Sequence, residues 1–219
     1  MSNPIRPFRP ADRASVRWIC CETGFLGEPQ EKVVADREVF ADMWSAYWTD
    51  REPESAFVAE ADGRVVGYLL GCADTGRYEK TFRAEMARPL FWKAVGRGFF
   101  VRGKNPAFVY RLLRSQRRGE FNAPMREIKP EYPAHLHMNI APAEFRGRGL
   151  GKALLAACLD HLRARGVKGL HLGTTSHNKQ AVPFYRASGF KEIFRKRLTC
   201  YDHAIPDPPL DSLYFGMKL

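Results

Sequence analysis

Residues 146 to 152, RGRGLGK, place three glycines and three cations immediately ahead of a helical apolar pattern made by Leu150, Leu154, Leu155, Cys158, Leu159 and Leu162. The first turn of a helix has backbone N–H groups with no partner inside the helix, and its aligned peptide dipoles favour negative charge there. Gly147, Gly149 and Gly151 let those amides approach a ligand, while Arg146, Arg148 and Lys152 supply counter-ions. Such a stretch can hold a phosphate or a pyrophosphate. Two nucleotide motifs are excluded by spacing. A P-loop needs a glycine where Arg146 stands and a Ser or Thr where Ala153 stands, and a Rossmann fingerprint needs GxGxxG where this chain has GxGxG. What is left is Arg146-x-x-Gly149-x-Gly151, whose alternative reading is a glycine-rich turn with no ligand.

Upstream, His135 to Ala141 reads as a strand stopped by Pro142. Its period of two puts His135, His137 and Asn139 on one face. Downstream, Asn178, Ala181 and Tyr185 are spaced three and four apart and share one helical face, so both polar members aim the same way. Taken alone, these are an N-cap Asn and a half-buried Tyr.

The two motifs together resemble a known family. Arg146-x-x-Gly149-x-Gly151 resembles the (Gln/Arg)xxGx(Gly/Ala) pyrophosphate loop of the GNAT-type N-acetyltransferases, and NKQAVPFYRASGF from Asn178 resembles their NxxAxxFYxxxGF hallmark. The resemblance implies acetyl-CoA as cosubstrate. Its contacts would be Met138, Asn139 and Ile140 on the strand, Arg146, Gly147, Arg148, Gly149, Leu150, Gly151 and Lys152 in the loop, and Asn178 and Tyr185 beyond. In the family the Asn contacts the pantetheine arm and the Tyr stands beside the thioester sulfur, roles that would fall on Asn178 and Tyr185. More narrowly, IRPFRPADR, VVGYLLGCADT, YPAHLHMNIAP and FGMKL are similar to bacterial acetyltransferases related to the acetyltransferase-like C-terminal domain of O-GlcNAcase. That animal domain is called a pseudo-enzyme without the cofactor loop, whereas this chain keeps RGRGLG.

The implied reaction is direct attack of a primary amine on the thioester, with the oxyanion held by a backbone N–H around Met138 to Ile140 and no metal. Freeing an alkyl amine of its proton at pH 7 costs about 4.6 kcal/mol, so a base or a water wire helps. Candidates are His135, His137 and Asn139, with Glu60 and Asp74 on neighbouring strands. His137 comes first because imidazole titrates near neutrality. The resembling bacterial proteins carry an Asp where this chain has Asn139, and an amide cannot replace a carboxylate base. Tyr185 as a proton donor to the thiolate is uphill by about 2 kcal/mol, which leaves stabilising the leaving sulfur by a hydrogen bond as its role. The expected catalytic set is therefore Tyr185, His137 and Asn139. The alternative is a non-catalytic acyl-CoA-binding module.

The elements that position these residues follow in order. Ile5 to Phe8 is extended and leads at Pro10-Ala11-Asp12 into a helix with Val16, Ile19 and Cys20 on one face. Glu31 to Trp48 is expected as a second amphipathic helix. Ala56 to Glu60 and Val65 to Gly71 form a hairpin around Asp62-Gly63. Residues 75–134 break into helical pieces, Tyr78 to Val95 and Pro106 to Arg118, and are expected as an insertion that packs on the main sheet and shapes the substrate entrance. After the central strand, loop and helix, Leu170 to Thr174 is a strand parallel to the central one, Asn178 caps a last helix ended by Gly189, and Phe190 to Leu198 pairs with Leu213 to Lys218. The fold class is α/β: an acetyltransferase (GNAT) fold with a mixed, mostly antiparallel sheet flanked by helices and a helical insertion between the third and fourth strands. Residues 1–219 are expected to be a single domain.

Composition narrows the partners. No apolar run is long enough to span a membrane and the N-terminus lacks a signal-peptide core, which points to a cytoplasmic protein with no membrane partner. The five cysteines form no CxxC pair or zinc-like spacing and read as reduced packing residues. Formal charge is +11, and residues 77–129 hold 14 Lys/Arg against 4 Asp/Glu. That basic segment suits an acidic acceptor or the cofactor's phosphates. Nucleic-acid binding is disfavoured, since no helix-turn-helix, RNA-recognition or zinc signature occurs and the aromatics are not expected to cluster with the basic residues as stacking platforms. The amine acceptor is open, and both monomer and homodimer fit the sequence.

Overall fold

A computed structural model describes residues 4–121 and 123–219. Asp62 and Gly63 both take positive φ, 52° and 69°, the two left-handed positions that a tight two-residue hairpin needs. They join β2, Ala56–Ala61, to β3, Arg64–Cys72, in an antiparallel pair. The other strands are β1 (Ile5–Pro7), β4 (Ala134–Ile140), β5 (Gly169–Thr175), β6 (Lys191–Leu198) and β7 (Leu210–Lys218). Among the described residues they form one seven-stranded sheet in the order β1-β2-β3-β4-β5-β7-β6, with β4 and β5 the parallel pair. The expected pairing of the last two strands is present, and β7 also pairs with β5 along its length.

Helices cover both faces of the sheet. On one lie α1 (Arg13–Glu22) and α2 (Arg37–Asp50), whose Val16, Ile19, Tyr47 and Trp48 pack with Val58, Tyr68 and Leu70. On the other lie α7 (Leu150–Ala164) and α8 (Ala181–Ala187), whose Leu154, Cys158, Leu162 and Tyr185 pack with Leu69, Leu136, Leu172 and Phe215. Cys20, Cys21, Cys72, Cys158 and Cys200 are all free and buried. α2 begins later than the sequence pattern suggests. Asp36 caps it by accepting from Val39 N at 3.0 Å, and Val33 and Val34 lie in the preceding connection, buried in a third cluster.

Between β3 and β4 come α3 (Thr75–Thr81), a wide turn at Phe82–Met86, α4 (Ala87–Gly96), α5 (Asn105–Arg117) and α6 (Met125–Glu131). This segment reaches the core cluster beneath α1 and α2 through Tyr78 and Met86, and at its two ends Thr75 meets His135 of β4 and Tyr132 lies against Gly169 and Gly216 of β5 and β7. Its Ala94 and Phe99 pack instead with Val33, Val34 and Val39 ahead of and on α2, and with Leu198, Ile205 and Leu210 around the β6–β7 connection. The segment thus meets the sheet at its two ends and at the β6–β7 edge through Leu198 and Leu210, and between these it leans on α2 and the connection before it. The sheet-facing surfaces are already filled by α1, α2 and α7.

Two close-fitted sites hold the elements around the central strands. Glu52, 2% exposed, accepts from Tyr47 Oη at 3.0 Å, Ser55 Oγ at 3.0 Å and Ala73 N at 2.9 Å, so its buried carboxylate has donors on both oxygens. This ties α2 to the end of β3. At the start of β5, a Cβ on Gly169 would stand 2.3 Å from the Glu131 carbonyl oxygen. Gly169→Ala is expected to cost about 1–3 kcal/mol of stability through that backbone collision, read as a lower urea midpoint at unchanged slope.

Candidate functional site

The central strands run together only briefly. β4 pairs with β5 at Ala134↔Leu170 and His135↔His171, and no pairs follow. Ala141 N donates to Val66 O at 3.0 Å, which sets the phase of the antiparallel β3–β4 ladder: Asn139 and His137 turn their main-chain groups to β3, and Met138 and Ile140 turn theirs to the β5 side. Beyond His135 the N–H groups of Met138 and Ile140 therefore face the space where the strands have parted. That space opens into a cavity of about 710 Å³ lined by Met138, Asn139 and Ile140 on one side and by Asn178, Gln180, Ala181, Phe184 and Tyr185 on the other.

The far end of the cavity is the glycine-rich loop. Gly147 and Gly149 have φ of 74° and 83°, conformations that side-chain-bearing residues avoid, and they turn the chain into α7. The first intrahelical bond is Ala153 N to Gly149 O, so the amides of Leu150, Gly151 and Lys152 have no helical acceptor and the positive end of the dipole faces the cavity. Gly147, Gly149, Gly151 and Lys152 line it. Leu150 does not: its side chain is 8% exposed and points into the core beneath α7. Arg148 is also outside the lining, with its guanidinium 4.9 Å from the Phe145 ring centroid.

Arg146 has a role that its spacing does not reveal. Its Nε donates to Ile140 O and its Nη2 to Gly27 O, each at 2.9 Å. The guanidinium thus staples the end of β4 to the loop between α1 and α2. Gly27 and Thr23 of that loop join the cavity wall, a contribution the sequence reading missed and for which the positive φ of Gly27, 84°, offered no motif. Arg146 also lines the cavity, and the two carbonyls hold its side chain in place while its charge and its remaining guanidinium N–H groups stay available there.

The downstream helix presents its polar residues as spaced. Asn178 Oδ1 accepts from Ala181 N at 3.0 Å, which leaves its Nδ2 donors without a partner among the described residues. Tyr185 is 5% exposed, packed against Phe184, Phe190 and Phe215. Burial pushes its phenol above the usual range. Its hydroxyl makes no hydrogen bond among the described residues.

The five residues weighed as a base fare differently. Glu60 is paired with Arg6 at 2.8 Å, and Asp74 Oδ1 caps α3 through Gly76 N and Arg77 N. Thr75 Oγ1 donates its one proton to Pro133 O and so accepts from His135 Nδ1–H at 2.8 Å. This fixes the tautomer of His135, while burial holds its pKa well below the ordinary range. Asn139 Nδ2 donates to Tyr68 Oη at 2.7 Å. His137 has no hydrogen-bond partner among the described residues and is enclosed by Trp44 and Trp48, with ring centroids 5.6 and 4.8 Å away. Burial pushes it down to about 4, so it does not titrate near neutrality as expected.

Residues 110–190 match the acetyltransferase (GNAT) family model. The crystal structure of SsHAT is 34% identical, with a TM-score of 0.73 over 98% of this chain and 96% of that one. A phosphinothricin acetyltransferase from Sinorhizobium meliloti, solved in complex with AcCoA, shares the fold at 18% identity and a TM-score of 0.57, over 100% of this chain and 89% of that one. An uncharacterized N-acetyltransferase from Methanocaldococcus jannaschii is 36% identical over 65 residues, 30% of this chain and 29% of its own length. The chain spans less than a third of that relative. A parted parallel pair beside a glycine loop, in this fold and with these matches, places the chain in the GNAT family of acetyltransferases.

The staple is directly testable. Arg146→Ala is expected to cost about 1–3 kcal/mol by leaving two carbonyls short of donors, and to speed amide exchange in residues 23–28 more than elsewhere. Equal exchange in that loop would deny the coupling.

Proposed function

We propose that the protein is an acetyl-CoA-dependent N-acetyltransferase acting on a primary amine, built as one domain with residues 75–134 as its insertion. One observation carries this reading: a single cavity has unpaired helix-start amides at one end and, at the other, the free N–H groups of Met138 and Ile140 opposite Tyr185. The donor set fits the cosubstrate in order. Amides of Gly151 and Lys152 and the Lys152 ammonium suit a pyrophosphate, the Asn178 Nδ2 donors suit an amide carbonyl of a pantetheine arm, and a strand edge suits its peptide-like backbone. The cosubstrate supplies an activated acyl thioester. The narrower resemblance to bacterial relatives of the O-GlcNAcase C-terminal domain is supported by the segments quoted above.

The chain's own groups divide the work. A main-chain N–H of Met138 or Ile140 donates to the oxygen where negative charge develops. Tyr185, with its phenol pushed up, keeps its proton and stabilises sulfur through a hydrogen bond instead of transferring it. His137 at about 4 cannot take a proton from an alkylammonium cheaply. Transfer to His137 is thus more uphill than release of the same proton to solvent at pH 7. The amine therefore reacts from its neutral fraction, with its proton lost to water, and His137 serves as a neutral acceptor beside the aromatic wall.

The sign of the pH dependence follows. Below the amine's own pKa its neutral fraction rises tenfold per pH unit, so log kcat/KM should climb with a slope near +1 from pH 6 towards that pKa. An inflection between pH 6 and 7 would reveal a near-neutral base and reject this account. Thiol release with a panel of amines, amino sugars, polyamines and peptides tests the activity itself. Tyr185→Phe is expected to lower turnover about tenfold or more with little change in acetyl-CoA affinity by calorimetry. Acetyl-CoA binding without thiol release from any amine would support the alternative, a non-catalytic acyl-CoA-binding module, which the absence of a free carboxylate among the base candidates favours.

A further inference from the structure

Between Met86 and Gly119 the chain has nine Lys/Arg and no Asp or Glu. The same stretch carries most of the large apolar side chains left in water. On α4, Phe91, Trp92 and Val95 fall on one helical face and are 51%, 58% and 42% exposed. Phe91 meets Trp92 at 5.4 Å and Phe100 at 5.7 Å between ring centroids, so that face continues into the turn after α4, where Val101 is 79% exposed. On α5, which shares a buried cluster with α4, Tyr110 and Leu113 are likewise exposed, at 65% and 55%. Aromatic and basic residues are thus grouped, as their interleaving in RPLFWKAVGRGFFVRGK already shows, and the expectation that they are not is corrected.

The cations are available. Arg88, Arg102, Arg114 and Arg117 are exposed and their side chains make no hydrogen bond or ion pair among the described residues. Lys93 and Arg97, by contrast, are held by Asp42 and Asp36 at the edge facing α2. An unpaired basic surface with protruding apolar side chains needs a partner that is both anionic and apolar.

We propose that α4, the following turn and the outer face of α5 form a docking surface for an anionic lipid bilayer. The arginines face the headgroups, and Trp92, Phe100 and Val101 enter the boundary with the acyl chains. Charge complementarity selects this occupant. A second copy would bring the same acid-free surface against itself in a two-fold contact, placing like charges together. A nucleic acid offers phosphates and flat bases, but nothing for Val95, Val101 and Leu113. An acidic peptide needs a groove or a strand edge, whereas Val101 projects at the tip of a turn. The expected lack of a membrane partner rested on the lack of a spanning run; surface docking needs none. The proposal does not depend on the acetyltransferase reading.

The test uses the full chain with vesicles of phosphatidylcholine, and of phosphatidylcholine mixed with phosphatidylglycerol, by sedimentation and tryptophan fluorescence. Expected are affinity about tenfold or more higher for the anionic vesicles, weakening in high salt, and a blue shift that Trp92→Phe abolishes. The double variants Trp92→Ala/Val101→Asp and Arg102→Glu/Arg114→Glu should each lose about tenfold or more in vesicle affinity while keeping urea midpoint and basal turnover. Equal binding to both vesicles, full binding by the Trp92→Ala/Val101→Asp variant, or capture of an oligonucleotide or polyglutamate in place of the anionic vesicles would each overturn the proposal.

Discussion

The site depends on an interrupted strand pairing. Parallel neighbours normally satisfy one another's main-chain groups, and buried N–H groups left without partners are costly. Here β4 and β5 are held together at His135 and His171 and then part, so the amides of Met138 and Ile140 face a cavity. The parting is sustained from both sides. Gly169 lets β5 begin close under the end of α6, His135 is tied through Thr75 to Pro133, and His171 is tied to the Tyr132 carbonyl at 2.7 Å. Past those anchors, β4 follows β3 and β5 follows β7, so each strand stays with its outer neighbour on its own side of the gap.

The loop that ends β4 uses the same economy of main-chain groups. Ile140 has its carbonyl on the cavity side, and Arg146 donates to it while reaching Gly27 on the α1–α2 loop. One side chain therefore fixes the exit of the strand, the entry to the glycine loop and a wall of the cavity. The nearby amides of α7 stay free because they face into the cavity, with the left-handed Gly147 and Gly149 aligning them. On the other face of β4, the aromatic residues of α2 enclose His137 and keep it neutral.

Much of this was legible in the sequence, and the reasons are local. Asp62-Gly63 specifies a turn by backbone sterics alone, and the apolar spacing from Leu150 to Leu162 specifies a helix against a sheet. The glycine loop and the Asn178 to Tyr185 spacing are chemical patterns confined to short segments. What could not be read depends on distant partners. Val33 and Val34 look helical, yet the Asp36 cap starts α2 later, and those valines pack with residues after position 198. Arg146 finds Gly27, 119 positions away. The downward shift of His137 arises from burial, to which Trp44 and Trp48 of α2 contribute, and from His171 on β5. Between Met86 and Gly119 the aromatic and basic residues already alternate in the sequence, but which of them stay exposed, Phe91, Trp92 and Phe100 against the buried Phe99, depends on how α4 and its turn pack.

The central claim is that the parted strands and the glycine loop form one continuous binding groove for acetyl-CoA. Hydrogen–deuterium exchange of the protein with and without acetyl-CoA tests it most directly. Protection is predicted in two separate stretches, residues 136–153 and 176–187, with the amides of Met138, Ile140, Gly151 and Lys152 among those slowed and residues 86–118 unchanged. Unaltered exchange at Met138 and Ile140, with protection confined to the loop or appearing elsewhere, would contradict it.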